Sequence, residues 1–183
     1  MQTEIIIAGS GGQGVLFGGT LLAQAAVVEG KETTWFPSYG AEIRGGTANS
    51  TVVVSEQEIG SPVTIAYSGL IALNELSLDF FLPRARNGSI IIVNSSLIEK
   101  KVEKAGVSIL YVPVSEMADK QIGDIRTANL VAIGAYLKKS GILKLSSAQK
   151  ACETLLEGKT KLITLNQKAL ELGYNYNDKI DLK

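Results

Sequence analysis

The sequence predicts an α/β fold: a Rossmann-like, mostly parallel sheet with helices on both faces, forming a single domain over residues 1–183. Three observations carry this expectation. Short apolar segments alternate with helical ones, the pattern of strands covered on both faces. A glycine loop, Gly9-Ser10-Gly11-Gly12-Gln13-Gly14, stands directly between a strand and a helix. Apolar residues make up 45% of the 183 residues, enough for one real core and too many for a disordered chain.

The elements follow in order. Glu4 to Ala8 reads as a short buried strand, and Gly9 to Gly14 as the loop after it. Val15 to Glu29 reads as a helix, apolar on most of its circumference, with Gly30 as its stop. Thr33 to Phe36 is a second strand, stopped by Pro37. Thr47 to Ser55 is β-branched and reads as a strand, closed by Gly60-Ser61-Pro62. Thr64 to Tyr67 is expected as a strand, Ile71 to Phe81 as a helix, and Asn87-Gly88 as a turn. Ser89 to Val93 and Val107 to Val112 are further strands. Helices are expected over Ala128 to Lys139, Ser146 to Leu156 and Thr160 to Leu172. Gly134 allows close packing of the first, which Gly141 stops, and Gly173 is expected to stop the last. From about Tyr174 the tail is polar and expected to be loosely packed or used for docking.

Composition excludes several chemistries. The 18 basic and 18 acidic residues cancel, and the pI is about 6.3. No broad electrostatic footprint for nucleic acid or an anionic membrane is present. The chain has no histidine, which removes His triads, His–metal sites and His proton shuttles. Cys152 alone builds neither a disulfide framework nor an iron–sulfur cluster, and is expected as a buried, inert thiol in a cytoplasmic protein. Ile5 to Val28 is free of charge, but its six glycines and the absence of a preceding Lys or Arg speak against a membrane span or signal.

The glycine loop carries the first candidate chemistry. In G-x-G-x-x-G the first glycine permits a tight turn and the second lets an anion reach backbone amides. The third lets helix and strand approach closely. The helix N-terminus then offers unpaired N–H groups and a positive dipole end. A side chain at Gly11 is expected to block that approach and to strain the turn. A dinucleotide enzyme would also carry an acid at the end of the second strand, where Phe36 is followed by Pro37 and Ser38. Glu32 lies before that strand, and no Gly-Lys-Ser/Thr follows the loop. The signature is therefore neither classical NAD-binding nor a Walker loop.

A second polar cluster, Pro37 to Thr47, follows the second strand and is expected at the same carboxyl edge. Arg44 there is a permanent cation suited to phosphate or carboxylate, or it pairs with Glu42 and pins the loop. Together Gly11-Gly12-Gln13-Gly14, Ser38-Tyr39-Gly40-x-Glu42-x-Arg44-Gly45-Gly46-Thr47, Ser55 and Ser61-Pro62 resemble the gamma subunit of 2-oxoacid:ferredoxin oxidoreductases. The resemblance extends over nearly the whole chain, through Asn87-Gly88, Asn129 at a helix opening, and Asn166 with Ala169.

The resemblance implies a subunit of an enzyme that oxidatively decarboxylates a 2-oxoacid on thiamine diphosphate. Electrons pass through iron–sulfur clusters to ferredoxin, and an acyl-CoA is released. One cysteine and the lack of a Gly-Asp-Gly…Asn-Asn signature place thiamine diphosphate and clusters on partner alpha and beta chains and a ferredoxin-like delta chain. This chain, inactive alone, would help bind coenzyme A and close the active site. Gly9, Ser10, Gly11, Gly12, Gln13 and Gly14 would cradle a phosphate. Ser38, Tyr39, Gly40, Glu42, Arg44, Gly45, Gly46 and Thr47 would face ligand or partner, with no catalytic or metal-ligating residue. Gly45-Gly46-Thr47-Ala48-Asn49 resembles the 2-oxoglutarate branch more than the pyruvate branch. A subunit made for a complex is also expected to form a homodimer when isolated. The residues alone leave open an independent nucleotide-binding oxidoreductase and a ligand-free scaffold.

Overall fold

The computed structural model describes residues 2–39 and 47–177. Six strands form one sheet: β1 (Gln2–Ser10), β2 (Glu32–Tyr39), β3 (Thr47–Ser55), β4 (Tyr67–Ala72), β5 (Ala85–Asn94) and β6 (Ser108–Val112). Their spatial order is β2-β3-β1-β4-β5-β6. All run parallel except β3, which is antiparallel to both β1 and β2. The chain reverses direction after β2, and β3 lies between β2 and β1. The α/β, mostly parallel architecture is as the sequence predicts.

Alternation along β1 divides the core. Ile5 and Ile7 face one layer, built with helices α1 (Val15–Val28), α4 (Ala128–Ser140), α5 (Leu145–Leu155) and α6 (Thr160–Tyr174). Ile6 and Ala8 face the other, with Leu78 and Phe81 of α2 (Glu75–Phe81). Helices thus lie on both faces, but unevenly. Leu21 and Leu22 of α1 are completely buried, each stabilising the fold by about 1.5–3 kcal/mol.

Four local expectations give way. Pro37 does not stop β2, which runs on to Tyr39; β2 is an edge strand, where a missing N–H is tolerated. The strand expected at 64–67 is β4, over 67–72, so Ile71 and Ala72 are strand residues. Asn74 starts α2 instead, its side chain accepting from Ser77 N at 2.9 Å. Gly173 is no stop: it lies buried inside α6, where an added Cβ would stand 1.8 Å from the Val131 carbonyl oxygen. Gly134 of α4 meets α6 in the same way, its Cβ position 2.0 Å from Leu170 O. The two glycines let α4 and α6 pack backbone to backbone.

Other expectations hold in altered form. Gly30 and Gly141 end α1 and α4 in the left-handed region, at φ 70° and 63°. Asn87-Gly88 is not a free turn but a bulge in β5, where pairing jumps from Tyr67–Ala85 to Gly69–Ile90. A short helix α3 (Val114–Met117), a π-helical turn at Ala118–Ile122 and a 3₁₀ turn at Ile125–Thr127 fill a stretch with no sequence-level expectation. The tail is not loose at its start: Tyr174 closes α6, and Tyr176 packs on the core and donates to Tyr111 O at 3.4 Å. The uncharged run from Ile5 is divided between β1 and α1, and no helix among the described residues is long and apolar enough to cross a membrane.

Candidate functional site

The carboxyl ends of β1 and β2 lie at one edge of the sheet. Ala48 of β3 pairs with Gly9 on one side and Tyr39 on the other, and Thr47 pairs with Ser10. The two loops singled out in the sequence therefore leave from adjacent strand ends. Gly40, Glu42, Arg44, Gly45 and Gly46 lie outside the described residues, and Tyr39 is placed by its backbone alone. Thr47 is exposed at the edge. Ser38 parts company with the group: its side chain lines a separate cleft on the α2 side of the sheet.

Within the glycine loop the residues divide by role. Gly12 and Gly14 hold φ of 95° and 70°, which favours glycine. At Gly11 and Gly12 an added Cβ would meet nothing within 4 Å among the described residues, which leave this backbone open. Gly9 is different, since its Cβ position is 2.6 Å from Gln13 Oε1 and 3.0 Å from Leu73 Cβ. Gln13 is occupied as a pin. Its Oε1 accepts from Ser10 N at 2.6 Å and its Nε2 donates to Leu73 O at 3.3 Å. The Ser10 hydroxyl accepts from Asn74 Nδ2 at 2.6 Å. The part free to receive a ligand narrows to the backbone of Gly11 and Gly12 and the amides that open α1, which no side chain caps among the described residues.

The third glycine of the motif does not bring helix to strand. A Cβ at Gly14 would stand 2.7 Å from Asn129 Nδ2, so Gly14 serves the approach of α4. Helix and strand meet instead at Gly19, whose Cβ position is 1.9 Å from Ser50 Oγ.

Gly12 lines three adjoining hollows. The first, about 280 Å³, has Asp124, Arg126, Thr127, Asn129 and Asn166 as polar groups and Phe17, Leu156, Leu162 and Leu165 as apolar walls. The second, about 200 Å³, opens over β4 and β5 beside Asn94, Ser115 and again Arg126. The third, about 260 Å³, runs along Ser10 to Phe17. Arg126 is 77% exposed and clamps Asp124 through Nε and Nη2 at 2.8 and 2.6 Å. Those bonds hold the Asp124 carboxyl below its ordinary value. Asn129 is buried; its Nδ2 donates to Gly14 O at 2.9 Å while its Oδ1 has no partner among the described residues. Open amides, a helix dipole, a guanidinium and an apolar slot suit a ligand with a phosphate end and an apolar arm.

Arg126 and Phe17 line these hollows without any signal in the sequence. Asn129 and Asn166 stand out there only through the family resemblance, Asn129 as a polar residue opening an apolar helix. Arg126 has no local signature, because only the placement of α4 brings it beside a loop more than a hundred residues earlier.

Comparison with known proteins bears on this geometry. The family model for pyruvate ferredoxin/flavodoxin oxidoreductase matches residues 4–176. The chain belongs to that family. A ketoisovalerate oxidoreductase subunit VorA of Methanothermobacter thermautotrophicus is 40% identical over 174 residues, 94% of this chain. This chain spans only 36% of that relative's length. A 2-oxoglutarate synthase subunit KorC of Methanothermobacter marburgensis is 32% identical over 157 residues, covering 82% of this chain and 84% of KorC. The gamma subunit of a keto/oxoacid ferredoxin oxidoreductase from Geobacter sulfurreducens has a TM-score of 0.81 at 28% identity, covering 94% and 96% of the two chains. A 2-oxoglutarate:ferredoxin oxidoreductase from Magnetococcus marinus shares the fold at a TM-score of 0.83 and 22% identity. This chain covers 30% of it, and that enzyme was solved with 2-oxoglutarate, coenzyme A and succinyl-CoA bound. The resemblance carried by the two loops is thus shown, and within the family this chain is of the gamma type.

Proposed function

We propose that this pyruvate ferredoxin/flavodoxin oxidoreductase family chain is the CoA-binding, non-catalytic subunit of a 2-oxoacid:ferredoxin oxidoreductase. The assembled enzyme would convert a 2-oxoacid to its acyl-CoA with reduction of ferredoxin, in the cytoplasm. The observation that carries the reading is the glycine loop itself: Gly11 and Gly12 face open space at the uncapped start of α1. Coenzyme A, when bound, supplies the thiol that accepts the acyl group. The residues present fit it. The amides of Gly11 and Gly12 and the α1 N-terminus would hold a phosphate, and Arg126 would screen its charge. Phe17, Leu162 and Leu165 would keep water from an apolar arm. Gly9 and Gln13 would act by holding the loop's shape.

Thiamine diphosphate and iron–sulfur clusters fall to alpha, beta and delta-type partners, since this chain has one cysteine and it is buried. Gly40 to Gly46, with Arg44 as their cation, would face the ligand or a partner at the edge fixed by Tyr39 and Thr47. The substrate would be a 2-oxoacid. The Gly45-to-Asn49 resemblance favours 2-oxoglutarate, whereas the 40% identity to a ketoisovalerate subunit favours a branched-chain acid.

The experiment is reconstitution. The chain, purified alone and with its partners, is assayed for viologen reduction with CoA, thiamine diphosphate and each of pyruvate, 2-oxoglutarate and 2-oxoisovalerate. Activity is expected only in the complex, and the preferred acid names the substrate. Arg44→Ala is expected to leave the melting temperature of the isolated chain unchanged and to cut CoA-dependent turnover ten- to a hundred-fold. Viologen reduction by the isolated chain would sink the non-catalytic assignment. Light scattering of the isolated chain tests the homodimer.

A further inference from the structure

We infer that the cleft between β2–β3 and α2 binds a small organic acid, with Tyr67 and Arg84 taking the carboxylate and Phe36 and Phe80 holding its apolar body. The cleft measures about 290 Å³ and shares no lining residue with the hollows around Gly12. It exists because helices cover the sheet unevenly. On this face α2 reaches Ile6 of β1, while the neighbouring part of β2 and β3 carries no helix.

Four features point to an acid. Tyr67 is 1% exposed, yet its hydroxyl has no hydrogen-bond partner among the described residues. Buried hydroxyls are rarely left unpaired, and such a group donates to an acceptor that fits beside it. Burial also keeps that hydroxyl protonated, since it raises the ionisation well above the ordinary tyrosine range. Arg84 stands with its guanidinium 4.6 Å from the centre of the Phe80 ring, flat cation on aromatic face, and lines the same cleft. The remaining polar lining includes Asn49 and Thr51, which can donate, and no acidic side chain lines the cleft among the described residues. Phe36 and Phe80 are 49% and 58% exposed at its rim, a large apolar surface for a solvent-facing position. Donors at the floor, one cation and aromatic walls describe a receptor for a carboxylate on a hydrophobic body.

The test uses the full chain, phenylacetate as the probe and uncharged phenylacetamide as its control, read by titration calorimetry. Phenylacetate is expected to bind saturably in the millimolar range or tighter, and phenylacetamide at least ten-fold more weakly. Tyr67→Phe is expected to weaken phenylacetate about ten-fold. It should keep or raise the melting temperature, because nothing within the fold is bonded to the hydroxyl. Arg84→Gln, at an exposed position, should weaken binding similarly with an unchanged melting temperature. Three results would overturn the inference: no saturable binding of phenylacetate, equal binding of phenylacetamide, or Tyr67→Phe that melts below wild type while phenylacetate binding persists.

Discussion

The side-chain amide of Asn129 donates to the carbonyl of Gly14 at 2.9 Å, tying the first turn of α4 to the residue that caps α1. This bond joins two helix starts 115 positions apart and sets the height of the glycine loop above the sheet. Asn129→Ala would remove this second donor, leaving the Gly14 carbonyl its helical bond from Gly18 N at 2.9 Å. Unfolding in denaturant is expected to show a loss of about 0.5–1.5 kcal/mol, the net worth of one hydrogen bond. CoA affinity should fall with it, because the loop is no longer held. Full stability together with unaltered CoA binding would show that the tie is incidental.

Gly11 and Gly14 should respond oppositely to substitution. Gly11 has ordinary φ and open space around it, so Gly11→Val is expected to fold like wild type, against the turn strain its motif position suggests. The valine would stand where a phosphate approaches, and CoA binding by calorimetry should weaken at least ten-fold. Gly14→Ala meets both a left-handed φ of 70° and the Asn129 amide at 2.7 Å. Its backbone strain alone costs about 1–2 kcal/mol, so its melting temperature should drop clearly.

The contact of α4 with α6 is the most demanding in the fold. Gly134→Ala or Gly173→Ala would place a methyl about 2 Å from a carbonyl oxygen of the facing helix, at Leu170 and Val131. Neither backbone can yield without separating the helices. Each variant is expected to lose about 3 kcal/mol or more, or to be recovered only as insoluble protein. A normal melting temperature for either would mean that the helices repack at no cost.

Cys152 is fully buried, and burial pushes its thiol from 9.0 to about 12. The native thiol should therefore resist alkylation by iodoacetamide at pH 8 and react only when denaturant opens the chain. The same shift has a sign in stability. Between pH 9 and 12 the unfolded chain releases a thiol proton that the folded chain retains, so stability is complete below about 9 and falls above it. Cys152→Ala should lessen that alkaline loss, as followed by thermal melts across the range.

The backbone of the candidate site at the first glycine loop was legible because its signals are local. The spacing Gly9, Gly11, Gly14 between an apolar strand and an apolar helix determined the turn, the helix start and the open amides. With no histidine and one cysteine, the given sequence holds no residues for a His triad or a four-cysteine cluster. Tertiary structure decided the rest. Pro37 is tolerated because β2 happens to be an edge, a property of strand order and not of the residues beside it. Gly173 reads as a helix stop in one dimension, and becomes an internal packing contact only because α4 lies against it. Arg126, Asn129 and Asn166 join Gly12 at one hollow because the sheet order sets α4 and α6 beside the carboxyl end of β1. Periodicity and turn chemistry act over a few residues, so they are written where they act. Which distant elements meet is settled by burying all the apolar faces at once, and no single segment records the result.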